Sequence, residues 1–218
     1  MAARFELLVF DWDGTLLDSA AAIVAAINAA CLDLGLPTPG DERARHVIGL
    51  GLHEALRYAV PDLPEERYPR MVERYRHHYL AHDHELQLFD GAAVLIAELA
   101  EAGFLLAVAT GKSRIGLDRA LLASGLGAYF HASRCADECF SKPHPQMLEQ
   151  LMAQLSAAPE RTLMIGDTTH DLQMANNAGV AGLAAAYGAH PPAALVALRP
   201  LAAVQTIEEM AVWLRQHA

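Results

Sequence analysis

The sequence predicts an α/β protein with a doubly wound, mostly parallel sheet and a helical segment inserted after the first strand. An apolar run that ends at Phe10 is long enough for one strand buried on both faces, as in parallel sheets. From residue 86 onward, strand-like runs alternate with helical patterns, which indicates helices on both faces of the sheet. Residues 18–85 contain no strand-like run.

The helical segment directly follows the first strand. Apolar residues at helical spacing predict a helix over 18–34, with Asp18 or Ser19 as its N-cap. Residues 36–85 keep the helical periodicity, with proline and glycine turns between the helices.

The remaining elements alternate in type along the chain. Helices are predicted at 92–102, 114–122, 145–155, 171–178, 192–198 and 207–216, and strands at 104–110, 129–132, 162–166, 182–186 and 202–204. We therefore expect two domains: an α/β core formed by residues 1–17 and 86–218, and a helical cap domain formed by residues 18–85.

The composition is that of an ordinary globular protein. The 218 residues are 53% hydrophobic and 19% charged, which suits one sizeable core with a small accessory domain. A formal net charge of −10 argues against nucleic acid as a partner. Lysine occurs only as Lys112 and Lys142, so both are candidates for a function.

The sequence favours a cytoplasmic protein that does not act at a membrane. The N-terminus lacks a signal-peptide pattern, and no apolar stretch approaches the roughly 20 residues of a membrane span. Cys31, Cys135 and Cys139 imply no disulfide framework, and their spacing matches a zinc motif poorly. We expect a monomer or a homodimer.

Two carboxylates stand one residue apart where the first strand ends. Asp11 and Asp13 are followed by Gly14 and Thr15. Open α/β sheets place their ligands just beyond the carboxyl ends of the strands. Two carboxylates there repel each other and resist burial unless a cation or a reaction uses them. The pattern therefore predicts a functional site.

Later loops supply polar groups that suit the same chemistry. Thr110 and Gly111 end a strand and lead into a helix, whose N-terminal N–H groups favour an anion. Lys142 precedes another helix, and Asp167 and Asp171 follow a later strand. Carboxylates, a lysine and a helix N-terminus at one edge of a sheet predict a site for Mg²⁺ and a phosphate group.

Taken singly, these residues have plainer interpretations. An aspartate after a strand is more often a turn former or a helix cap, and Thr110 can cap a helix. Asp171 can be the negative charge at a helix N-terminus. Only the whole set indicates a site, because turns do not require both lysines and Asp-x-Asp-Gly-Thr to fall at matching strand ends.

The ordered motifs resemble those of the haloacid dehalogenase (HAD) superfamily over essentially the whole chain. They are Asp-x-Asp-Gly-Thr, a strand ending in Thr110, Lys-Pro-x-Pro and Gly-Asp-x-x-x-Asp. The resemblance is to phosphoglycolate-phosphatase-like hydrolases with an α-helical cap. It implies the strand order 3-2-1-4-5 and a Mg²⁺-dependent phosphatase that hydrolyses a small phosphorylated metabolite through an aspartyl-phosphate.

The resemblance also implies a role for each motif residue. Asp11 would be the nucleophile, and Asp13 would protonate the leaving alcohol and then deprotonate the attacking water. The implied Mg²⁺ ligands are the Asp11 carboxylate, the Asp13 backbone carbonyl and the Asp167 carboxylate. Lys142 would keep Asp11 ionised, and Asp171 would orient Lys142 or a metal-bound water.

Two further groups follow from the resemblance. The implied phosphate-binding residues are Gly14, Thr15, Thr110, Gly111 and Lys142. Gly111 stands where many relatives carry asparagine. The implied substrate-selecting residues of the cap are Arg45, His46, Gly49, Leu50 and Gly51. A plain turn between helices would give the same pattern in this loop.

A histidine cluster in the cap has no counterpart among these motifs. It consists of His77, His78, His82 and His84. No cysteine lies nearby and the spacing on an arginine-rich helix is tight, so a solvated face is favoured over a metal site.

Alternative activities follow from the same resemblance. Relatives that cleave carbon–halogen bonds lack the aspartate found here as Asp13, and those that cleave carbon–phosphorus bonds use a cap lysine, which residues 18–85 lack. A phosphomutase of the same cap type and a catalytically silent binding protein both stay open. Candidate substrates are phosphoglycolate, sugar phosphates, nucleotide monophosphates and flavin mononucleotide.

Overall fold

The computed structural model describes residues 4–218. Residues 1–3, which the predicted core includes, lie outside the described residues. The strands are β1 (Leu7–Phe10), β2 (Leu105–Thr110), β3 (Ala132–Cys135), β4 (Thr162–Gly166), β5 (Ala181–Ala185) and β6 (Ala203–Val204). They form one parallel sheet in the order β3-β2-β1-β4-β5-β6.

Ten α-helices accompany the sheet within residues 4–218. They are α1 (Ala20–Asp33), α2 (Asp41–His46), α3 (Leu52–Ala59), α4 (Tyr68–His82), α5 (Ala92–Glu101), α6 (Arg114–Ser124), α7 (Gln146–Leu155), α8 (Thr169–Asn177), α9 (Pro192–Val196) and α10 (Ile207–His217). Short 3₁₀ turns lie at Glu65–Arg67, Asp83–Glu85, Gly127–Tyr129 and Pro159–Arg161. None of the described helices has the length and apolar character needed to cross a membrane.

Strand β1 shows why the sheet is covered on both faces. Its four side chains are all fully buried. Leu8 and Phe10 pack in one apolar cluster with side chains of α5 and α10, whereas Leu7 and Val9 pack in another with α7 and α8. Alternate residues of a strand point to opposite faces, so a continuous apolar run is what two covered faces require. The predicted doubly wound fold is confirmed.

The predicted strand order is confirmed and extended by β6 at one edge. The position predicted for the third strand is wrong. The strand lies at Ala132–Cys135 rather than 129–132, because Gly127–Tyr129 forms a 3₁₀ turn and Phe130 packs edge-on against Trp12. β3 is an edge strand with polar residues, so the apolar pattern misplaced it.

The side chains at the starts of two helices make contacts that hydrophobic periodicity does not predict. Ser19 is the N-cap of α1, but its hydroxyl makes no capping hydrogen bond because it donates to Asp13. Helix α8 begins at Thr169, two residues before the predicted start at 171. Thr168 and Asp171 form a capping box there, in which each side chain accepts from the other residue's backbone N–H.

Helices α1 to α4 form an insert whose side chains build a separate apolar cluster, which Ala189 of the core also joins. Its most buried members include Ile27 and Leu56. The two segments that join the insert to the sheet run side by side, since Leu17 bridges Leu88 and the N–H of Asp18 donates to the carbonyl of Gln87 at 3.0 Å. The insert therefore begins and ends beside the carboxyl end of β1.

Candidate active site

The carboxyl ends of the central strands bring the predicted residues to one edge of the sheet. Asp11 follows β1, Thr110 ends β2, and Asp167 follows β4. Lys142 enters from the segment between β3 and α7, and its Nζ lies 2.9 Å from Asp11 Oδ1. Both side chains of this ion pair are fully buried.

Asp171 holds Lys142 from the other side. Its Oδ1 lies 2.7 Å from Lys142 Nζ. Its Oδ2 accepts hydrogen bonds from the N–H of Thr168 at 3.0 Å and from the hydroxyl of Thr168 at 2.7 Å. The helix-cap interpretation and the lysine-orienting interpretation of Asp171 therefore fit together, since each role uses a different oxygen.

The electrostatics of these groups follow from their burial. Burial raises the pKa of Asp11 well above its usual range, Asp171 and Asp167 raise it further, and Lys142 opposes this shift. Burial lowers the pKa of Lys142, but Asp11 and Asp171 more than offset that effect, so the ammonium stays charged. One buried cation among three buried carboxylates leaves an excess of negative charge that a further cation would relieve.

Asp167 is fixed by two donors in a fully buried position. Its Oδ1 accepts from the hydroxyl of Thr15 at 2.7 Å, and its Oδ2 accepts from the N–H of Ala189 at 2.8 Å. Burial, followed by the charge of Asp171, raises the pKa of Asp167 to about 7. A side chain on Gly14 would collide with this carboxylate. Thr15 and Gly14, predicted to bind phosphate, are thus in direct contact with the predicted metal ligand.

Asp13 lies beside the second lysine of the chain. Its Oδ1 accepts from the Ser19 hydroxyl at 2.6 Å and lies 3.0 Å from Lys112 Nζ. Lys112 also donates to the hydroxyl of Tyr79, on α4 of the insert, at 2.9 Å. The scarcity of lysine pointed to Lys112 as functional, but no sequence signal indicated its partners, because they meet only when the insert packs on the core.

The acidic cluster fits a divalent cation. Asp11, Asp167 and Asp171 each offer an oxygen within 4.8 Å of the others. Asp11 Oδ2 is buried and accepts no hydrogen bond from residues 4–218. Carboxylate and carbonyl oxygens are the ligands that Mg²⁺ prefers. Asp171 has the Lys142 ammonium on one oxygen and Thr168 on the other, whereas Asp11 keeps Oδ2 without a partner in that same range, so Asp11 is the carboxylate best placed to bind the ion. The resemblance adds the Asp167 carboxylate and the backbone carbonyl of Asp13.

Thr110 is fully buried at the end of β2. Its Oγ1 accepts from the N–H of Lys112 at 3.2 Å. It is not the helix cap, since the hydroxyl of Ser113 accepts from the N–H of Gly116 and caps α6. This removes the plainer interpretation of Thr110 and leaves it among the residues placed at the site.

The predicted insert loop lies directly on the core. A Cβ atom on Gly111 would lie 2.5 Å from the carbonyl oxygen of Leu50 and 2.6 Å from that of Gly49. The N–H of Gly51 donates to the hydroxyl of Ser141 at 2.8 Å. The glycine that departs from the asparagine of many relatives thus allows the insert backbone to approach the site.

Three histidines that no sequence pattern connects join the insert to the core. The carbonyl of His46 accepts from Nε2 of His170 at 2.7 Å and from Nε2 of His190 at 3.1 Å. Nδ1 of His190 accepts from the N–H of Thr169 at 3.0 Å, which places the proton of the neutral ring on Nε2. Arg45, also predicted to select substrate, is exposed.

Three histidines of the predicted cap cluster lie near acidic side chains, and the cysteines within residues 4–218 are not paired. His78 lies 2.7 Å from Asp33, and His82 and His84 are exposed beside Glu85. The described cysteines, Cys31, Cys135 and Cys139, are all free thiols.

The fold and the acidic site at the ends of the strands are those of an α/β enzyme. The family model described as haloacid dehalogenase-like hydrolase matches residues 8–185. The probable phosphatase IndB of Dickeya dadantii is 37% identical over 211 residues, which cover 94% of this chain and 91% of that protein. A phosphoglycolate phosphatase of Agrobacterium fabrum is 31% identical over 188 residues, which cover 84% of this chain and 81% of that protein.

A comparison in three dimensions agrees with the fold. A hydrolase from Pseudomonas syringae superimposes with a TM-score of 0.88 at 22% identity, covering 97% of this chain and 98% of that one. The chain belongs to the haloacid dehalogenase-like hydrolases, in the phosphoglycolate-phosphatase-like branch. The prediction from the sequence that this enzyme is a phosphoric monoester hydrolase is confirmed.

Proposed function

We propose that this phosphatase requires Mg²⁺ and hydrolyses a small phosphorylated metabolite through an aspartyl-phosphate on Asp11. The observation that supports this most is the buried Asp11–Lys142 pair at 2.9 Å, in which the second Asp11 oxygen accepts no hydrogen bond from residues 4–218. A carboxylate fixed by one oxygen and free at the other is suited to attack phosphorus.

The reaction proceeds in two displacements. Asp11 forms a bond to phosphorus while the ester P–O bond breaks, and Asp13 gives its proton to the leaving oxygen. Water then attacks the phosphorus of the aspartyl-phosphate, Asp13 takes the proton of that water, and inorganic phosphate leaves with Asp11 restored. A positioned acid and base of this kind is worth about 10²–10⁴-fold in rate.

The surrounding residues stabilise the negative charge on Asp11 and on the phosphoryl oxygens. Lys142 favours the ionised form of Asp11 against the effect of burial, and it offsets negative charge in the transition state. Thr110 binds the phosphoryl oxygens beside the N-terminus of α6. Mg²⁺, when held by Asp11, Asp167 and the Asp13 carbonyl, supplies Lewis-acid neutralisation of those oxygens.

The insert loop favours a small leaving group. The carbonyls of Gly49 and Leu50 lie so close to Gly111 that a single added carbon would strike them. The closed site therefore has little room on this side. Phosphoglycolate, the substrate named for the Agrobacterium relative, has a leaving group of suitable size and heads the panel to be tested, followed by sugar phosphates, nucleotide monophosphates and flavin mononucleotide.

Phosphate release from this panel tests the proposal. We expect turnover with Mg²⁺, loss of turnover with EDTA, and no turnover in Asp11→Asn. Asp18→Asn, which changes an exposed acid of the same segment, should keep wild-type turnover. Rapid acid quench should trap phosphate on the peptide that contains Asp11.

Two results would overturn the proposal. A folded, Mg²⁺-supplied protein that released no phosphate from any member of the panel would exclude the phosphatase activity. Isomerised product in excess of released phosphate would instead identify a phosphomutase, which shares the same motifs.

A further inference from the structure

Lys112 forms a bridge between the core and the insert at the acid–base aspartate. Its ammonium lies 3.0 Å from Asp13 Oδ1 and donates to the hydroxyl of Tyr79 at 2.9 Å. Asp13 follows β1, Lys112 follows β2, and Tyr79 lies on α4, so three separate parts of the chain meet at one nitrogen. The side chains of the ion pair are each 11% exposed, so the pair is largely shielded from water.

Both donors to Asp13 reach the same carboxylate oxygen. The Ser19 hydroxyl donates to Oδ1 at 2.6 Å, and the Lys112 ammonium lies against the same atom. No side chain or backbone group of residues 4–218 donates to Oδ2. Two donors on one oxygen fix the orientation of the carboxyl group and leave the other oxygen free to exchange a proton.

We propose that Lys112 is a positioning residue, which holds Asp13 by Oδ1 so that Oδ2 exchanges the proton, and that Tyr79 makes this alignment depend on closure of the insert. The inference rests on the proposed phosphatase reaction, in which Asp13 is the acid and base. When the insert moves away, Lys112 loses the Tyr79 hydroxyl, and the Asp13 carboxylate loses a fixed partner.

The surroundings of the bridge support this role. Burial lowers the pKa of Lys112, but the charge of Asp13 and the contact with Tyr79 more than offset this, so Lys112 remains a cation. Tyr75 stacks on Tyr79 with ring centroids 5.9 Å apart, which holds the phenol in place. A cavity of about 460 Å³ lies against Lys112, Tyr79 and Leu17, so the bridge forms the wall between Asp13 and an open space.

A second ion pair between insert and core provides a matched control. Arg119 of α6 lies 3.3 Å from Asp83 beside the insert and borders the same cavity. Neither residue is bonded to Asp13. If Lys112 served only to hold the insert closed, loss of Arg119 should have a similar effect.

The test compares two substrates that differ in their need for an acid. An alkyl phosphate has a poor leaving group that must be protonated, whereas p-nitrophenyl phosphate releases a stable phenolate. The value of kcat/KM covers the steps up to formation of the aspartyl-phosphate. We expect Lys112→Met to lower kcat/KM for the alkyl ester about 10²-fold and for the aryl ester less than about 10-fold.

The other variants sharpen the comparison. Tyr79→Phe should shift the alkyl-to-aryl ratio in the same direction by a smaller factor, and Lys112→Arg should restore part of it by returning the cation. Arg119→Met should leave the ratio within about twofold of wild type, because it does not touch Asp13. Asp13→Asn removes the acid itself, so it gives the largest change in the alkyl-to-aryl ratio that we expect.

The outcomes separate this inference from the function on which it rests. An equal loss on both substrates in Lys112→Met, or no loss on either, would overturn the positioning role while Asp13→Asn still shows the selective loss. If wild type is inactive, or Asp13→Asn shows no preference between the substrates, the proposed phosphatase mechanism itself fails and the inference falls with it.

Discussion

His190 should make the folded protein sensitive to mild acid. Burial, followed by the neighbouring His170, lowers the pKa of His190 from its ordinary 6.5 to about 4. Protonation would also put a hydrogen on Nδ1, where the Thr169 N–H donates. The folded state therefore favours the neutral form of the His190 ring, whereas in the unfolded chain the ring takes up a proton near its ordinary pKa.

The sign and the size of the effect follow from proton linkage. A depressed histidine pKa gives a stability contribution that is fully present above pH 6.5 and is lost as the pH falls toward about 4. Between about pH 7.5 and about pH 5, the unfolded state takes up nearly one proton that the folded state scarcely binds, which costs about 2 kcal/mol in the free energy of unfolding.

Urea unfolding at the two pH values, followed by circular dichroism in EDTA, measures this difference. His190→Gln removes the titrating ring and keeps an oxygen that can accept from Thr169. We expect its pH dependence to be smaller than that of wild type by about 2 kcal/mol. His84→Gln, which removes an exposed imidazole, serves as the matched control.

An identical pH dependence in wild type and His190→Gln would refute the reasoning. His170, whose pKa is also lowered by burial, stays in the variant and accounts for part of any residual dependence.

Three further substitutions probe the site. Lys142→Ala removes the cation beside Asp11, so kcat should fall by about 10²-fold or more in steady-state assays, and near-normal turnover would exclude its role. Asp167→Ala removes a predicted ligand, so Mg²⁺ titrations should show weaker activation that is partly rescued at high Mg²⁺, and an unchanged titration would exclude it. Gly111→Ala places a carbon against the Leu50 carbonyl, so proteolysis should cut the insert faster than in wild type, and an unchanged cleavage rate would contradict the close packing.

The parts of the fold and site that local sequence determines could be predicted. The apolar run of β1 is buried on both faces, so its pattern located the strand and, with it, Asp11 and Asp13 at its end. Asp167 follows from the same logic at β4. Sheet geometry then brings Asp11 and Asp167 together without any information on the insert.

The parts that depend on how the insert packs could not be predicted. Lys112 and Tyr79 are 33 residues apart in sequence, and His46 and His170 are 124 apart, so no periodicity links them. Ser19 looked like a helix cap, but its hydroxyl turns to Asp13 instead. The hydrogen-bond partners of these side chains are determined by tertiary contacts, which compete with local interactions such as helix capping.

The placement of the two lysines also gives the protein a built-in chemical reporter. Lys142 is fully buried and the Lys112 side chain is 11% exposed, so both amines are largely shielded from solvent. An acylating reagent that reacts with a lysine side chain of this protein must reach the candidate active site to do so. Modification of Lys112, which borders the cavity, therefore reports access to that space, whereas modification of the fully buried Lys142 reports opening of the site itself, and neither needs a label engineered into the chain.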